Sequence, residues 1–338
     1  MAAARKRDLI GIGGSAGALP ALVKLLETFR PESDASVFVV LHRAAESEHL
    51  DQILAKSSHL EVCEPTDGDK VRPNCLYLAR TDCHMTVGEN HIHLRRGPRE
   101  NNFRPAIDPL FRSLAVFGST RSTAVVLSGY LDDGAAGARA IADAGGAVMV
   151  QDPAEAMSAS MPRAAISAVG EPECIASAEN LGRELARIVS EDAGPPREAD
   201  PDVRLELMIA GMEKANMQSE QRLGELSPYN CPDCNGVLWE IEDGPLLRYR
   251  CHTGHAFSSG ALSHRQEEAL EQRLFDSLRA TRERVRYVEN LAKRDPVNSR
   301  RWKDKAQSYR EDCDLIETLI KRRQNEHTSA GLHASSVN

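Results

Sequence analysis

The stretch GIGGSAGA, residues 11–18, comes directly after the run RKRDLI near the start of the chain. It has two interpretations. As G-x-G-x-x-A from Gly11, it fits the relaxed dinucleotide fingerprint, in which glycines let a pyrophosphate approach the N-terminus of a helix. As G-x-S-x-G around Ser15, it is a nucleophile elbow, a tight strand-to-helix turn that exposes one serine hydroxyl. Both interpretations predict a strand before the turn and a helix after it.

The same pattern continues through residues 7–170, where short apolar runs alternate with longer mixed segments. Such alternation is typical of a parallel sheet flanked by helices. We therefore predict an α/β fold with a doubly wound, mostly parallel sheet in a Rossmann-like, three-layer arrangement. The clearest predicted strands are DLIGIG, VFVVLH (37–42), CLYLAR (75–80), STAVVLSG (122–129) and GAVMVQD (146–152), and the predicted helices lie at 18–29, 48–57, 108–117 and 134–144.

Three chemically active side chains stand at the ends of predicted strands. Ser15 follows the first strand, His42 ends the second, and Asp132 and Asp133 follow the strand AVVLSG. The carboxyl ends of parallel strands share one edge of the sheet, where ligands and catalytic groups gather. A serine is a weak nucleophile until an imidazole takes its proton, and the imidazole needs a carboxylate to fix its tautomer. The sequence therefore predicts a Ser-His-Asp triad.

The dinucleotide interpretation agrees less well with the same positions. It requires an acidic residue at the end of the second strand to bond the ribose, and this chain has His42 there. The order Ser, His, Asp also differs from the Ser, Asp, His order of α/β-hydrolases. We therefore favour a serine hydrolase of another kind.

Six blocks of the sequence resemble, in order and spacing, the catalytic domain of chemotaxis protein-glutamate methylesterases, the CheB family. The resemblance covers about residues 7–185. The blocks are IGIGGSAGALPAL, VFVVLHR, VRPNCLYLARTDCHM, FRPAIDPLFRSLA, VVLSGYLDDGAAGARAI and SMPRAAI.

The resemblance implies a function and roles for the triad. It implies hydrolysis of glutamate γ-methyl esters, and deamidation of certain glutamines, on the cytoplasmic domains of chemoreceptors, with no cofactor for catalysis. By motif, Ser15 is the nucleophile, His42 the general base and Asp133 the orienting carboxylate, whereas Asp132 is expected to be solvated. The family usually has threonine where Ala16 stands and TGMG where this chain has SGYL, which places Tyr130 beside the site. Arg104 and Met161 either line the pocket or are structural.

The chain after the catalytic block has a different character. The block starts at residue 7, so we expect no receiver domain before it and no control by phosphorylation in cis. Proline, glycine and acidic residues accumulate near residues 190–202, as in a linker. We predict a catalytic domain over 1–190, a linker over 191–202, a helix over 203–228, a zinc-ribbon-like module over 229–260, a helical hairpin over 261–326 and a disordered tail over 327–338.

A second set of residues has the spacing of metal ligands. The pairs Cys231-x-x-Cys234 and Cys251-x-x-x-His255 are 16 residues apart and lie in turns containing proline and glycine. Two such turns, which we call knuckles, can provide four ligands that bind a structural Zn²⁺ tetrahedrally. His252 is an alternative fourth ligand. The competing interpretation is two reduced cysteine pairs in a small β element.

Composition limits the remaining possibilities. The net charge of −8 argues against a nucleic-acid coat, because phosphate binding needs an excess of Lys and Arg. No apolar run approaches the ~18 residues of a membrane span, and no export signal is recognisable, so we expect a cytoplasmic protein without membrane insertion. We expect the C-terminal helices to contact a partner protein or a second copy. The alternatives are a non-catalytic signalling adaptor and a zinc-ribbon regulator that binds nucleic acid.

Overall fold

The computed structural model describes residues 5–42, 49–211 and 224–334. The chain forms two compact units, Met1–Leu262 and Ser263–Asn338. The strands are β1 (Leu9–Gly14), β2 (Ser36–Leu41), β3 (Glu61–Cys63), β4 (Cys75–Leu78), β5 (His84–Val87), β6 (Ile92–Arg95), β7 (Ser122–Val126), β8 (Ala147–Gln151), β9 (Cys174–Ala176), β10 (Glu225–Asn230), β11 (Val237–Asp243), β12 (Leu246–Cys251) and β13 (Ala256–Ser258).

The helices complete the framework. In the first unit they are α1 (Ala18–Thr28), α2 (Leu50–Ser57), α3 (Ile107–Phe117), α4 (Ala135–Asp143), α5 (Ser160–Val169), α6 (Ala178–Ile188) and α7 (Pro201–Ala210). Two long helices follow, α8 (Ser259–Arg294) and α9 (Ser299–Ala334). Each strand and helix predicted between residues 8 and 152 is present, with ends that differ by a few residues.

A parallel sheet forms the centre of the first unit. Seven strands lie in the order β3-β4-β2-β1-β7-β8-β9, and every neighbouring pair is parallel. All residues of β1, β2, β7 and β8 are buried, as expected for a parallel sheet covered on both faces. One hydrophobic core lies between the sheet and α1, α2 and α6, and a second between the sheet and α3, α4 and α5. The predicted three-layer, doubly wound fold is confirmed.

The position of β1 determines where the site forms. The chain passes from β1 to β2 on one side and later to β7 on the other side. This reversal is a topological switch point, and ligands of open α/β sheets bind outside the carboxyl ends of the strands at such a point.

A small antiparallel sheet, β10-β11-β12-β13, follows in the same unit, and we call residues 225–258 the four-stranded module. The helix predicted over 203–228 differs from the structure. The described part of that helix ends at Ala210, and Glu225–Asn230 form a strand because their backbone pairs with β11. Residues 212–223 of the predicted helix lie outside the described residues.

The second unit contains most of α8 and all of α9, which are separated by residues 295–298. Leu278, Cys313 and Ile320 form its core. Helix α9 continues to Ala334, so it includes part of the segment expected to be a disordered tail. Across the described residues, no helix combines the length and apolarity needed to cross a membrane.

Candidate active site

Ser15 lies in the turn between β1 and α1. Gly17 has φ = 76°, a left-handed conformation that glycine adopts without strain. The backbone N–H of Ser15 donates to the carbonyl of Ser128 at 2.9 Å, and the hydroxyl of Ser128 donates to the carbonyl of Ala16 at 2.7 Å. These bonds attach the turn to the end of β7, so Ser15 is held at the switch point, next to the N-terminus of a helix.

His42 leaves the neighbouring strand beside Ser15. In the parallel pairing of β1 with β2, Gly14 lies opposite Leu41, so the next residue of each strand is Ser15 and His42. The backbone N–H of His42 donates to the carbonyl of Gly14 at 3.0 Å. Adjacent strands are about 4.8 Å apart, which brings the backbones of the two residues close together.

Asp133 reaches the histidine from the turn before α4. Its neighbour Gly134 has φ = 91°, which lets the chain enter the helix directly after the carboxylate. Asp133 Oδ2 lies 2.8 Å from His42 Nε2 and accepts a hydrogen bond from the backbone N–H of Ile107 at 2.6 Å. The other oxygen, Oδ1, accepts from the Asn101 side-chain amide at 2.9 Å. The carboxylate is therefore enclosed and fully bonded.

These hydrogen bonds determine the charge of Asp133. Burial would raise its pKa, but the contact with His42 and the bonds from Ile107 and Asn101 outweigh burial and hold the pKa below its usual range. The pKa of Asp108, which accepts a hydrogen bond from the same Asn101 amide, is shifted in the opposite direction. Burial and the neighbouring Asp133 charge raise the pKa of Asp108 to about 7. Of these two carboxyl groups, the one with the lowered pKa, Asp133, lies against His42.

The surroundings of His42 leave one ring nitrogen available. Because ionised Asp133 can only accept, Nε2 of His42 carries the proton, and Nδ1 is the basic nitrogen. Nδ1 is buried and has no hydrogen-bond partner within the part of the chain that the structure describes. The ring stacks on Phe103, with centroids 3.6 Å apart and planes 11° apart. The structure brings together His42 and Asp133, while the predicted bond from Ser15 to His42 is not formed in it; such bonds are often long without substrate.

Sequence reasoning missed three residues around the predicted triad, namely Asn101, Phe103 and Asp108. The only local signal was the Asn101-Asn102 pair, which is typical of a turn and says nothing about a catalytic contact. Both asparagines have positive φ, 49° and 75°. We call residues 99–103 the bridging loop.

Other residues near the site differ from expectation or resolve an alternative. Asp132, expected to be solvated, is half-buried and accepts a hydrogen bond from the Ser258 hydroxyl at 2.5 Å. Arg104 pairs with Asp82, and Met161 is fully buried beside Gly129, so both have structural contacts. Tyr130 is 65% exposed.

The predicted metal ligands also converge. The ligand atoms of Cys231, Cys234, Cys251 and His255, which we call the Cys₃His cluster, all lie within 4.8 Å of one another. His252 is exposed, and its ring lies edge-on to Trp239 instead. A further group, Glu61 with two cysteines, is less suited to a metal because both carboxylate oxygens of Glu61 accept hydrogen bonds from an arginine.

Comparison with known proteins identifies relatives of the first half of the chain. The sequence model of the CheB methylesterase family matches residues 10–185. The protein-glutamate methylesterase/protein-glutamine glutaminase 2 of Caulobacter vibrioides is 33% identical over 185 residues, which are 53% of this chain and 53% of the relative. A protein of the same name from Methanosarcina mazei is 36% identical over 169 residues, 46% of this chain and 45% of the relative.

A solved structure matches the same region. The Thermotoga maritima CheB methylesterase catalytic domain superposes with a TM-score of 0.51 at 26% identity, covering 54% of this chain and 98% of that domain. The chain spans about half the length of the curated relatives it matches.

Proposed function

The chain belongs to the CheB methylesterase family, and from this premise we propose that its first unit hydrolyses glutamate γ-methyl esters on proteins, with Ser15 as nucleophile, His42 as general base and Asp133 as orienting carboxylate. The observation that carries the proposal is the 2.8 Å contact between His42 Nε2 and Asp133 Oδ2 at the strand ends beside Ser15. It gives the imidazole a fixed tautomer whose free nitrogen can take a serine proton.

The reaction proceeds in two half-steps. In the first, Ser15 Oγ attacks the ester carbonyl carbon while Nδ1 of His42 takes its proton. The tetrahedral intermediate then expels methanol, which receives that proton, and an acyl-enzyme remains. In the second, His42 activates a water molecule that attacks the acyl carbon, and Ser15 Oγ leaves with the proton. The product is a glutamate side chain.

The protein environment supports each charge that forms. Ionised Asp133 stabilises the imidazolium of His42, because three further donors, two backbone N–H groups and the Asn101 amide, hold the carboxylate in place. The turn that carries Ser15 precedes α1, whose first N–H groups have no acceptors within the helix. These N–H groups and the helix dipole can stabilise the oxyanion.

The same residues suit a second leaving group. Attack on a glutamine γ-carboxamide would release ammonia in place of methanol. The proton that His42 transfers to the amide nitrogen allows it to leave as ammonia. The relatives named protein-glutamate methylesterase/protein-glutamine glutaminase support this extension. We assign the substrate to methylated chemoreceptor cytoplasmic domains, and the reaction therefore to the cytoplasm.

Methanol release tests the proposal. Methyl-esterified chemoreceptor cytoplasmic fragments are incubated with the full chain or with Ser15→Ala, whose thermal unfolding midpoint is checked against the native value. The native chain should release methanol, and the variant should lose about 10⁴-fold or more of the rate. Equal release by both proteins would contradict the assigned nucleophile. No release by either, with native folding, would favour the non-catalytic adaptor.

We assign the second unit a protein-contact role. Its helices expose Leu315 and Leu319, one turn apart on α9, and carry mixed charges rather than a basic face. The expected partner is a second copy of the chain. Light scattering of the full chain should give a dimer mass that falls to a monomer mass in a Leu315→Glu, Leu319→Glu variant. A monomeric native chain would contradict self-association, and salt-sensitive binding to DNA would favour the nucleic-acid alternative.

A further inference from the structure

The Cys₃His cluster lies outside the proposed active site, yet its module contacts the residues that hold Asp133. We propose that the cluster binds one structural zinc ion, and that this ion holds the bridging loop against the catalytic carboxylate through Asn101. Zinc binding goes beyond the proposed function, while the effect on the triad rests on it.

The distances within the cluster match tetrahedral zinc. With Zn–S bonds of about 2.3 Å and Zn–N bonds of about 2.05 Å, a tetrahedron places two sulfurs about 3.8 Å apart and a sulfur and a nitrogen about 3.6 Å apart. Sγ of Cys234 and Sγ of Cys251 are 3.6 Å apart. Nδ1 of His255 is 3.5 Å from Sγ of Cys251 and 3.7 Å from Sγ of Cys231. These three distances agree with one tetrahedral ion, and all ligand atoms lie within 4.8 Å of one another.

The backbone around the cluster has two matching turns. The N–H of Cys231 donates to the carbonyl of Gly236 at 2.7 Å, and the N–H of Cys251 donates to the carbonyl of His255 at 3.0 Å. Each turn includes one residue with positive φ, Asn235 at 61° and Gly254 at 98°. Three thiolates and an imidazole are ligands that zinc prefers, and four protein ligands leave no open position for substrate. The site is therefore structural.

The module itself has a small apolar cluster. Its hydrophobic cluster has five buried residues of the module, two of them the ligands Cys231 and Cys251, together with Ala261 and Leu262 of α8. Chains below roughly 40 residues usually need a metal, disulfides or a partner surface to be stable. The rest of the first unit provides such a surface, and zinc binding would add to the free energy gained there.

The bridging loop connects the cluster to the triad in three contacts. Next to the ligand His255, the carbonyl of Ala256 accepts from the backbone N–H of Asn101 at 2.8 Å. The backbone N–H of Ser258 donates to the Asn101 side-chain carbonyl at 2.9 Å. The amide of the same side chain donates to Asp133 Oδ1 at 2.9 Å. The module thus fixes the orientation of the Asn101 side chain, and the Asn101 amide in turn holds the carboxylate of Asp133.

A buried group of charges attaches the same loop to the module. Glu100 pairs with Arg112 of α3 and, at 3.2 Å, with Arg250 of β12. Glu206 of α7 pairs with Arg250 at 2.7 Å and with Arg248 at 2.6 Å. These side chains are nearly inaccessible to solvent, so their partners are costly to separate. If the module loosens, Glu100 loses its pair with Arg250 and keeps the one with Arg112.

Metal analysis tests the site itself. The full chain, purified without chelator and supplied with zinc, should contain about one zinc ion. A Cys231→Ser, Cys251→Ser variant should contain less than roughly a tenth of that, whereas the matched Cys83→Ser, Cys174→Ser variant should equal the native chain. A native chain well below one ion, or a ligand variant with native content, would overturn the proposal.

Cobalt gives the same answer without any substitution, in case the ligand variant does not fold. Co²⁺ alone, added to the metal-free native chain, should give the intense visible bands and thiolate charge-transfer absorption of a tetrahedral thiolate site. The weak spectrum of octahedral cobalt would contradict the assigned ligands.

Hydrogen exchange tests the connection to the triad independently of any activity. Removal of zinc from the native chain by a chelator should increase exchange in residues 225–258 and also in residues 99–108, while residues 9–28 of β1 and α1 stay protected. An increase confined to 225–258, or one spread equally to 9–28, would refute the connection through Asn101.

Asn101→Ala tests the positioning role of this residue. We expect kcat to fall about 10- to 100-fold, as for other groups that orient a catalytic side chain, with KM and zinc content at native values. Labelling of Ser15 by a fluorophosphonate should slow by the same factor. A native kcat, or an effect on KM alone, would contradict the role. Failure of the proposed function would be seen separately, as no methanol release and no labelling by the native chain, and would leave the zinc and exchange results standing.

Discussion

The carboxyl edge of the parallel sheet and the four-stranded module position their polar groups by different physical means. At the sheet edge, Ser15 and His42 extend from fully buried strands between two large hydrophobic cores, so the backbone itself sets their spacing. In the module, whose hydrophobic cluster includes only five of its own residues, the proposed zinc ligands and the ion pairs position the chain. Burial of apolar surface can hold a strand end in place, whereas a small β element needs specific polar contacts.

The module is connected to Asp133 through Asn101, and the comparison predicts that the charge of Asp133 matters more than that of its neighbour. Asp133→Asn should lower kcat about 10⁴-fold, because the amide can donate to Nε2 of His42 and so favours the wrong tautomer. Methanol release measures the loss, and zinc content should stay native. Asp132→Asn makes the same chemical change one residue away and should keep the rate within about 10-fold. Similar losses of kcat in the two variants would show that Asp133 has no special role relative to Asp132.

The next largest effect is expected where the module attaches to the sheet domain. Glu206→Gln removes the charge that faces Arg248, Arg250 and, at 3.5 Å, Arg112. Uncompensated buried arginines should lower the free energy of unfolding by about 3–5 kcal/mol. Urea unfolding measures this, with Glu184→Gln, whose side chain is 42% exposed, as control. A change below 1 kcal/mol (about fivefold in the unfolding equilibrium) would show that the ion pairs contribute little.

A third test uses the pH dependence of stability and concerns Asp108. Its folded-state pKa is about 7, raised by burial and by the Asp133 charge. The stability that the neutral form contributes is therefore complete near pH 4 and is lost as the pH rises through about 7. The Asp108→Asn variant has no carboxyl group at this position, so its stability does not fall in this way as the pH rises. Relative to the native chain, the variant should gain about 2–3 kcal/mol in the free energy of unfolding between pH 5 and pH 8.

Urea unfolding of both proteins at the two pH values makes this measurement, since the other titrating groups cancel in the difference. A difference that does not change with pH would mean that Asp108 is ionised throughout, and the sheet edge would then hold two neighbouring charges.

The smallest expected effect is at the contact between Asp132 and Ser258. Asp132→Ala removes an acceptor for the serine hydroxyl and should lower the free energy of unfolding by about 1 kcal/mol. Ser258→Ala should cost more, because the hydroxyl also accepts from the backbone N–H of Ala261 at 3.0 Å. The double variant should cost less than the sum, because the bond between Asp132 and Ser258 is lost in both single variants. Additive losses would show that the bond does not contribute.

Prediction from sequence was accurate wherever the signal is local. The run LIGIGG is apolar and ends in small residues, so β1 and the turn after it follow from neighbouring positions in the chain. The helix expected over 203–228 differs because Glu225–Asn230 pair with a strand that begins seven residues after Asn230. Backbone pairing across such a gap overrides helix propensity, which is a weak preference.

Local sequence patterns also could not predict that the module packs within the first unit. The boundary predicted near residues 191–202 marks a change in composition, yet the chain up to Leu262 forms one compact unit. Buried pairs such as Glu100 with Arg250, 150 residues apart, produce this arrangement. No spacing rule connects two single charges at that distance.

The amino-acid sequence by itself determined the α/β fold, the strand ends that carry Ser15, His42 and Asp133, and the two knuckles of the Cys₃His cluster, because each depends on periodicity or spacing within a short segment. Only the tertiary structure decided that Asn101 lies between the module and Asp133. That contact requires the bridging loop, β13 and the turn before α4 to meet in space. Their side chains become neighbours only when the two parts of the first unit pack together and exclude water from their junction.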